Sequence, residues 1–356
     1  MIDTRGARRW DLTRREGWRR FVLSERRDMP EALSASELSG LSERALEDYN
    51  ERRHDHHANF GVIRTPQLER AHDLMTMVLD TGLRVDSDRV KPSVVVDAEP
   101  GVGKTTTVNE YLREFERMRL RRLGDRTDSG HARIPVCRIG MTAKSGLRPL
   151  VASLLRFYGG PKADPESYRR NELYEMLMDY VQRNETEIIA VDDLHFLDPY
   201  SRDGQTVSNF LKGWSNDLGV ALIMAGVDLA GRGLYTDGKM AIHATQNGRR
   251  STPVGLSKYG YTGKHAKREW KDLLGAYESK PVLSQHQHSD LVSQAALIHE
   301  RTQGYLVSLN HLITLAAAHA IRSRQERITE EILRLVPLDF AAEQFWEQRV
   351  ERNLAA

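Results

Sequence analysis

The sequence predicts an α/β protein built on a parallel sheet flanked by helices. Three observations carry that prediction. Four short apolar runs, "SVVVDA", "IPVCRI", "EIIAVDD" and "VALIMAG", read as strands buried on both faces. Amphipathic helical stretches separate them, and strands alternating with helices favour a doubly wound arrangement. The first run ends in a glycine-containing turn that opens directly into a helix.

Residues 1–60 form a basic helical N-terminal extension. Residues 61–275 form the α/β domain, 276–340 a helical C-terminal lid, and 341–356 a tail. Before the first strand, "RTPQLERAHDLMTMVLDTG" places Leu68, Ala71, Leu74, Met75 and Leu79 on one helical face. Thr65 is the expected N-cap, with Pro66 at the first helical position. Val108, Leu112 and Phe115 line up on the helix after the first run, and a fifth strand is expected in "STPVGLSKY". Near the C-terminus Leu309, Leu312, Ala316 and Ala320 share a face.

The 356 residues are 40% apolar and 29% charged, with a net charge of +2, so overall charge does not point to a nucleic-acid partner. Its distribution is uneven. Residues 1–27 hold nine arginines against four acids, and Arg113, Arg117, Arg119, Arg121, Arg122 and Arg126 crowd a second stretch. Such clusters can bind a phosphate backbone or lie solvated on a helix face. The single cysteine, Cys137, sits in an apolar run and is expected to be buried and inert. The arginine-rich N-terminus lacks the apolar stretch of a signal peptide, and no run of about 18 apolar residues is uninterrupted. A cytoplasmic protein without membrane contact is expected. The histidines of "HDHH" at 54–57, with His286 and His288, lack cysteine partners or an HExxH spacing, so no metal site is expected there.

The chemistry concentrates at the ends of the strands. Ala98-Glu99-Pro100-Gly101-Val102-Gly103-Lys104-Thr105 follows the P-loop pattern GxxxxGK[ST], with alanine at the first glycine position. A strand end, a loop with inward N–H groups and a helix N-terminus surround phosphate oxygens with partial positive charge. Residues 99–106, Thr106 included, are expected to cradle the phosphates of ATP. Lys104 is expected to reach the β- and γ-phosphates, and the Thr105 hydroxyl to ligate Mg²⁺. "EIIAVDDLHF" puts Asp192 and Asp193 at a strand tip, as in a Walker B motif. Asp192 would hold Mg²⁺, and Asp193 would polarise the attacking water. A carboxylate one methylene shorter than glutamate implies slow ATP hydrolysis. Asp228, after the fourth run, is the nearest polar residue for a phosphate sensor. Arg249 and Arg250 precede the fifth run, where an arginine can complete a neighbouring subunit's site.

In that order, "RTPQLERAHDLM", the P-loop, "IIAVDDLHFL", "LIMAGV", "GRRSTPVGL" and "TQGYLVSLNHLITLAAAHAIRSRQERITEEIL" resemble the TniB- and TnsC-type transposition ATPases. These are AAA+ P-loop NTPases related to the B protein of phage Mu. The resemblance spans residues 50–335. It implies ATP bound between subunits, self-association into a ring or filament on double-stranded DNA, recruitment of a transposase, and disassembly on hydrolysis. It also implies an arginine finger at Arg249 or Arg250. The segment after Gly304 reads "YLVSLNH", without the arginine that many such lids carry. Thr142, Lys144, Ser145 and Arg148, after the second strand, offer donors for a DNA backbone, and the arginines of residues 5–27 are the alternative. A P-loop signalling or defence switch acting through protein partners is the competing function, and a small-molecule phosphotransferase a third.

Overall fold

In the computed structural model, residues 8–86, 91–141, 146–160, 170–197, 218–232 and 251–355 are described, together with positions 89, 207, 210 and 211. Five parallel strands, β1 (Ser93–Asp97), β2 (Val136–Gly140), β3 (Ile188–Asp192), β4 (Ala221–Gly226) and β5 (Ser251–Gly255), form one sheet in the order β2-β3-β4-β1-β5. Each apolar run expected to be a strand is one. β3 and β4 are buried along their whole length, as a sheet covered on both faces requires. β5 is partly exposed at the edge and tolerates Pro253 there.

The register fixes where chemistry can happen. Asp97 at the end of β1 pairs with Gly226 of β4 on one side and Gly255 of β5 on the other. Asp192 at the end of β3 lies opposite Gly140 of β2. All five strands therefore finish along one edge. The chain leaves β1 in the middle of the sheet and crosses β4 and β3 to reach β2, which opens a crevice at the carboxyl ends.

Helices α1 (Arg15–Leu23), α2 (Ala35–Ser39), α3 (Glu43–Ala58) and α4 (Pro66–Leu83) precede the sheet. Thr65 caps α4 by accepting the Leu68 N–H, and Pro66 opens the helix as expected. Within the sheet region lie α5 (Lys104–Leu123), α6 (Leu147–Phe157) and α7 (Arg170–Arg183). The chain ends in α8 (Gly263–Glu278), α9 (Asp290–Ser293), α10 (Ala295–Thr302), α11 (Leu306–Arg322), α12 (Glu330–Leu335) and α13 (Phe340–Ala355). Cys137 is buried, and burial pushes its thiol pKa up, so it is an inert core residue.

Two hydrophobic clusters organise the molecule. The first surrounds the sheet; the second runs from Tyr259 to Val336, on α8–α12 and the segments that flank and join them. The boundary read at 275 falls inside α8, whose Trp270, Leu273, Leu274 and Tyr277 join the second cluster. Residues 341–355, the C-terminal tail, lie in the helix α13, with Arg301 of α10 donating to Glu343 at 2.7 Å. No single helix among the described residues is long and apolar enough to cross a membrane. The apolar pair α10 and α11 is bent by 118° and lines the second cluster.

The N-terminal extension is divided between the two clusters. Trp18 and Val22 of α1 are fully buried in the first. The Trp18 indole donates to the buried Glu116 carboxylate of α5 at 2.6 Å, and Arg19 lies 3.0 Å from the same carboxylate. Arg117 of α5 donates to the carbonyls of Val22 and Ser24, closing the end of α1. α3 instead packs on the second cluster. Arg53, 1% exposed, grips both oxygens of Glu326 at 2.6 and 3.0 Å. His57 accepts the Val282 N–H at 2.9 Å, and His56 lies 2.9 Å from the Lys280 carbonyl. These histidines hold helices together.

Burial pushes the His57 imidazole pKa down to about 3, and His56, His54, Arg53 and His286 add in the same direction. An unfolded histidine titrates near about 6.5, so at intermediate pH the unfolded chain binds a proton that the folded chain refuses. This contribution is complete above about pH 6.5 and is lost as pH falls toward about 3, by at most about 1.4 kcal/mol per pH unit. His57→Gln keeps an acceptor for Val282 and removes the titration. Urea unfolding at about pH 7.5 and about pH 5 should show a smaller pH-dependent fall in stability for that variant than for the parent.

Candidate functional site

The site starts at the turn after β1. Gly101 and Gly103 take φ of +81° and +95°, a left-handed region that suits glycine and lets the chain reverse into α5. Ala98, at the first glycine position of the motif, keeps a negative φ, so its methyl group causes no strain there. α5 begins at Lys104 with no side-chain cap and no acidic residue in its first turn. Its first N–H groups and the positive end of its dipole are therefore available to an anion. Thr105 and Thr106 are exposed on that turn.

The Lys104 ammonium donates to the carbonyls of Ala98 and Glu99, both at 2.8 Å. It is held over the loop by hydrogen bonds to neutral acceptors, which a phosphate can replace with charge-assisted ones. Burial pushes its pKa down, and the carboxylates of Asp192, Asp193 and Asp97 oppose that shift.

Asp192 is 3% exposed. Its Oδ1 accepts the backbone N–H of Asp193 at 2.9 Å. Asp193 takes a left-handed conformation at φ 58°, which aspartate tolerates better than most residues. Burial and the neighbouring Asp192 raise the Asp193 pKa, against the lowering effect of His195, Arg138 and Lys104. Two carboxylates and one lysine thus converge at the edge where the strands end. The donor set fits Mg²⁺: a hard cation takes a hydroxyl and a carboxylate and completes its shell with phosphate oxygens and water. Thr105 in the first turn of α5 and Asp192 at the end of β3 carry a hydroxyl and a carboxylate of that kind.

Sequence reasoning missed Arg138. Its Nε donates to Asn109 of α5 at 3.1 Å, and an Nη lies 3.4 Å from Asp192 Oδ2. The register explains the meeting. Arg138 is paired with Ala190, and Asp192 with Gly140 two residues on, so both side chains belong to one face of the sheet. The available signal was an arginine inside an otherwise apolar strand. Arg232, after β4, donates to the His195 carbonyl at 3.1 Å and ties that loop to the Walker B turn. Asp228 is exposed at φ 54°, and its carboxylate leaves no room for a side chain at Gly231.

The lid meets the phosphate loop directly. The Val307 N–H donates to the Gly101 carbonyl at 3.1 Å, and the Tyr305 ring lies against Gly101. The Tyr305 hydroxyl donates to Glu99 at 2.6 Å, while Lys258 lies 3.9 Å from Glu99 and 5.0 Å from the Tyr305 ring centre. The Glu99 side chain therefore faces the lid rather than the phosphates. A cavity of about 260 Å³ opens beside the loop, lined by Val62, Ile63, Val102, Thr106, Leu306 and Asn310 among others. An apolar slot next to a phosphate cradle suits a planar base. Val307, 56% exposed, also lines it.

Arg148 lies exposed in the first turn of α6. Thr142, Lys144, Ser145, Arg249 and Arg250 fall outside the described residues.

Residues 88–230 match the family described as "AAA domain". No curated protein matches the chain in sequence. Among solved structures, Cdc6p from Pyrobaculum aerophilum is similar at a TM-score of 0.56 and 15% identity, covering 77% of this chain and 68% of that one. The ORC1 protein of Aeropyrum pernix, solved in complex with DNA, is similar at 0.53 and 19% identity, covering 82% and 68%. The ORC2 protein of Aeropyrum pernix, in ADPNP–ADP complexes, is similar at 0.53 and 13% identity, covering 89% and 70%. The fold is that of an AAA+ P-loop NTPase core, with a five-stranded parallel sheet between helices.

Lys104→Ala removes a charged donor from the loop. Nucleotide affinity should fall about 10- to 100-fold, the range for one lost charge-assisted hydrogen bond. Titration with a fluorescent ATP analogue tests this, and unchanged affinity would exclude Lys104 from phosphate binding.

Proposed function

We propose that the chain is an ATP-hydrolysing, DNA-binding regulator of transposition. In this reading it assembles with ATP on double-stranded DNA, recruits a transposase, and comes apart on hydrolysis. The observation that carries the ATP-dependent part is the contact between the phosphate loop and the lid through Gly101, Glu99, Tyr305 and Val307. A nucleotide entering the loop alters the seat of the lid, so phosphate occupancy and assembly can be coupled. The transposition part is supported by the order of motifs from "RTPQLERAHDLM" to the "TQG…IT" segment. A related fold has been seen with DNA in the Aeropyrum pernix ORC1 complex.

The residues act as follows. Lys104 and the N–H groups opening α5 bind the phosphates, while Thr105 and Asp192 hold Mg²⁺. When bound, that ion supplies charge neutralisation on the phosphate oxygens. Asp193 orients the attacking water and accepts its proton, and burial makes this carboxylate a stronger base than an exposed aspartate. Its short side chain favours slow turnover. Arg249 or Arg250 acts on a neighbouring subunit's nucleotide. Thr142, Lys144 and Arg148 meet DNA phosphates without reading bases.

Asp193→Asn should retain ATP binding and lower hydrolysis about 100-fold or more, within the range for a general base. ATP-dependent assemblies on duplex DNA, followed by electron microscopy, should outlast those of the parent. Parental hydrolysis in this variant would remove Asp193 from the water-activating role. Replacing both Arg249 and Arg250 with Ala should cut turnover while sparing nucleotide affinity. Mixing that variant with Asp193→Asn should restore part of the activity, since some interfaces then pair an intact Walker B with an intact finger. Absence of rescue on mixing points to action within one chain.

A further inference from the structure

At the end of the core far from the phosphate loop lies a second, basic groove. α5 spans 20 residues from Lys104, about 30 Å of helix, and the groove lies beyond its last turn. It has a volume of about 320 Å³ and is lined by Arg15, Glu16, Arg19 and Arg20 of α1, and by Asp125, Arg126 and Ala132 of the connection to β2. Four arginines thus face two carboxylates. Arg126 and Ala132 form an antiparallel bridge that shapes one wall, and the Arg126 guanidinium donates only to the Gly130 carbonyl.

The wall formed by α1 is built rather than loosely laid. Trp18 is fully buried with its indole on Glu116, and Arg19 donates to the Arg133 carbonyl at 2.6 Å. Arg19 is thereby spent on structure. Arg15 has an ion pair with Glu16 at 3.2 Å, which is exposed and worth little. Arg20 makes no ion pair or hydrogen bond among the described residues, and Arg126 makes no ion pair. Arg121 and Arg122, exposed in the last turn of α5, likewise have no carboxylate partner there.

We propose that this groove binds the sugar–phosphate backbone of nucleic acid. Guanidinium groups match phosphate oxygens in a bidentate fork. The lining offers only Ala132 as an apolar floor, so a peptide would find no pocket for its side chains. Guanidinium heads on aliphatic stems, with no large apolar side chain between them, favour contact with a repeating anion. The inference rests on the DNA-binding reading above and adds a surface on α1 to the path after β2.

The test uses the full chain and end-labelled duplex DNA of mixed sequence, titrated across a range of salt with ATP present. The variants are Arg15→Gln/Arg20→Gln/Arg126→Gln, the matching triple Lys variant, and Arg148→Ala; thermal unfolding checks that each is folded. The triple Gln variant should bind DNA more weakly, and its salt slope should flatten by about 0.9 for each arginine that meets a phosphate. The Lys variant should keep most of the slope, and ATP affinity should not change. A Gln variant with parental affinity and slope overturns the groove and leaves DNA binding by the chain intact. A parent that binds no DNA overturns both. Competition by polyglutamate as strong as by DNA also overturns the proposal, since the site would then take acidic protein.

Discussion

The structure depends on how the backbone of one turn divides its polar groups. After β1 the carbonyls of Ala98 and Glu99 are taken by Lys104, that of Gly101 by the lid, and that of Gly103 by Thr107. The N–H groups that open α5 have no capping side chain. Four of the loop's carbonyls are thus engaged while its N–H groups are left without a capping side chain, a state that an anion relieves well. Everything around it follows from keeping that asymmetry. The parallel register brings Asp192 to the same edge, and the lid is seated on the Gly101 carbonyl.

The carboxylates at this edge are arranged to avoid neutralising the loop too well. Asp192 is engaged by Arg138 and by the Asp193 N–H, and Glu99 is drawn to Tyr305 and Lys258. Lys104 therefore rests on neutral carbonyls rather than in an ion pair. Breaking those two hydrogen bonds costs far less than separating buried charges, so the lysine can turn to a phosphate readily.

Much of this was legible in the sequence because it is local. Short apolar runs marked β1 to β4, Thr65-Pro66 marked the start of α4, and the glycine spacing marked the turn before α5. Arg138, Tyr305 and Lys258 were not legible as site residues. Arg138 meets Asp192 only through strand pairing, and Tyr305 meets Glu99 across 206 positions of chain. The position 275 lies inside α8, whose apolar stripe is visible in the sequence, but nothing there says which of two cores receives it. The basic N-terminal stretch read as one extension because composition is averaged, whereas Trp18 and Arg53 each commit their helices to different bodies.

That division has a mechanical consequence. The core and the lid are joined by the chain after β5, between Gly255 and Gly263, by the segment between Leu23 of α1 and Glu43 of α3, and by the segment between Ala58 of α3 and Pro66 of α4. Both ends of the second link are anchored, by Trp18 on Glu116 and by Arg53 on Glu326. Two bodies tied at three places are more constrained than two joined by a single linker, since a rotation that relaxes one tie stretches another. The N-terminal segment thus laces the lid to the core, out through α1 to α3 and back through α3 to α4, so the seat of the lid on the phosphate loop does not depend on the linker after β5 alone.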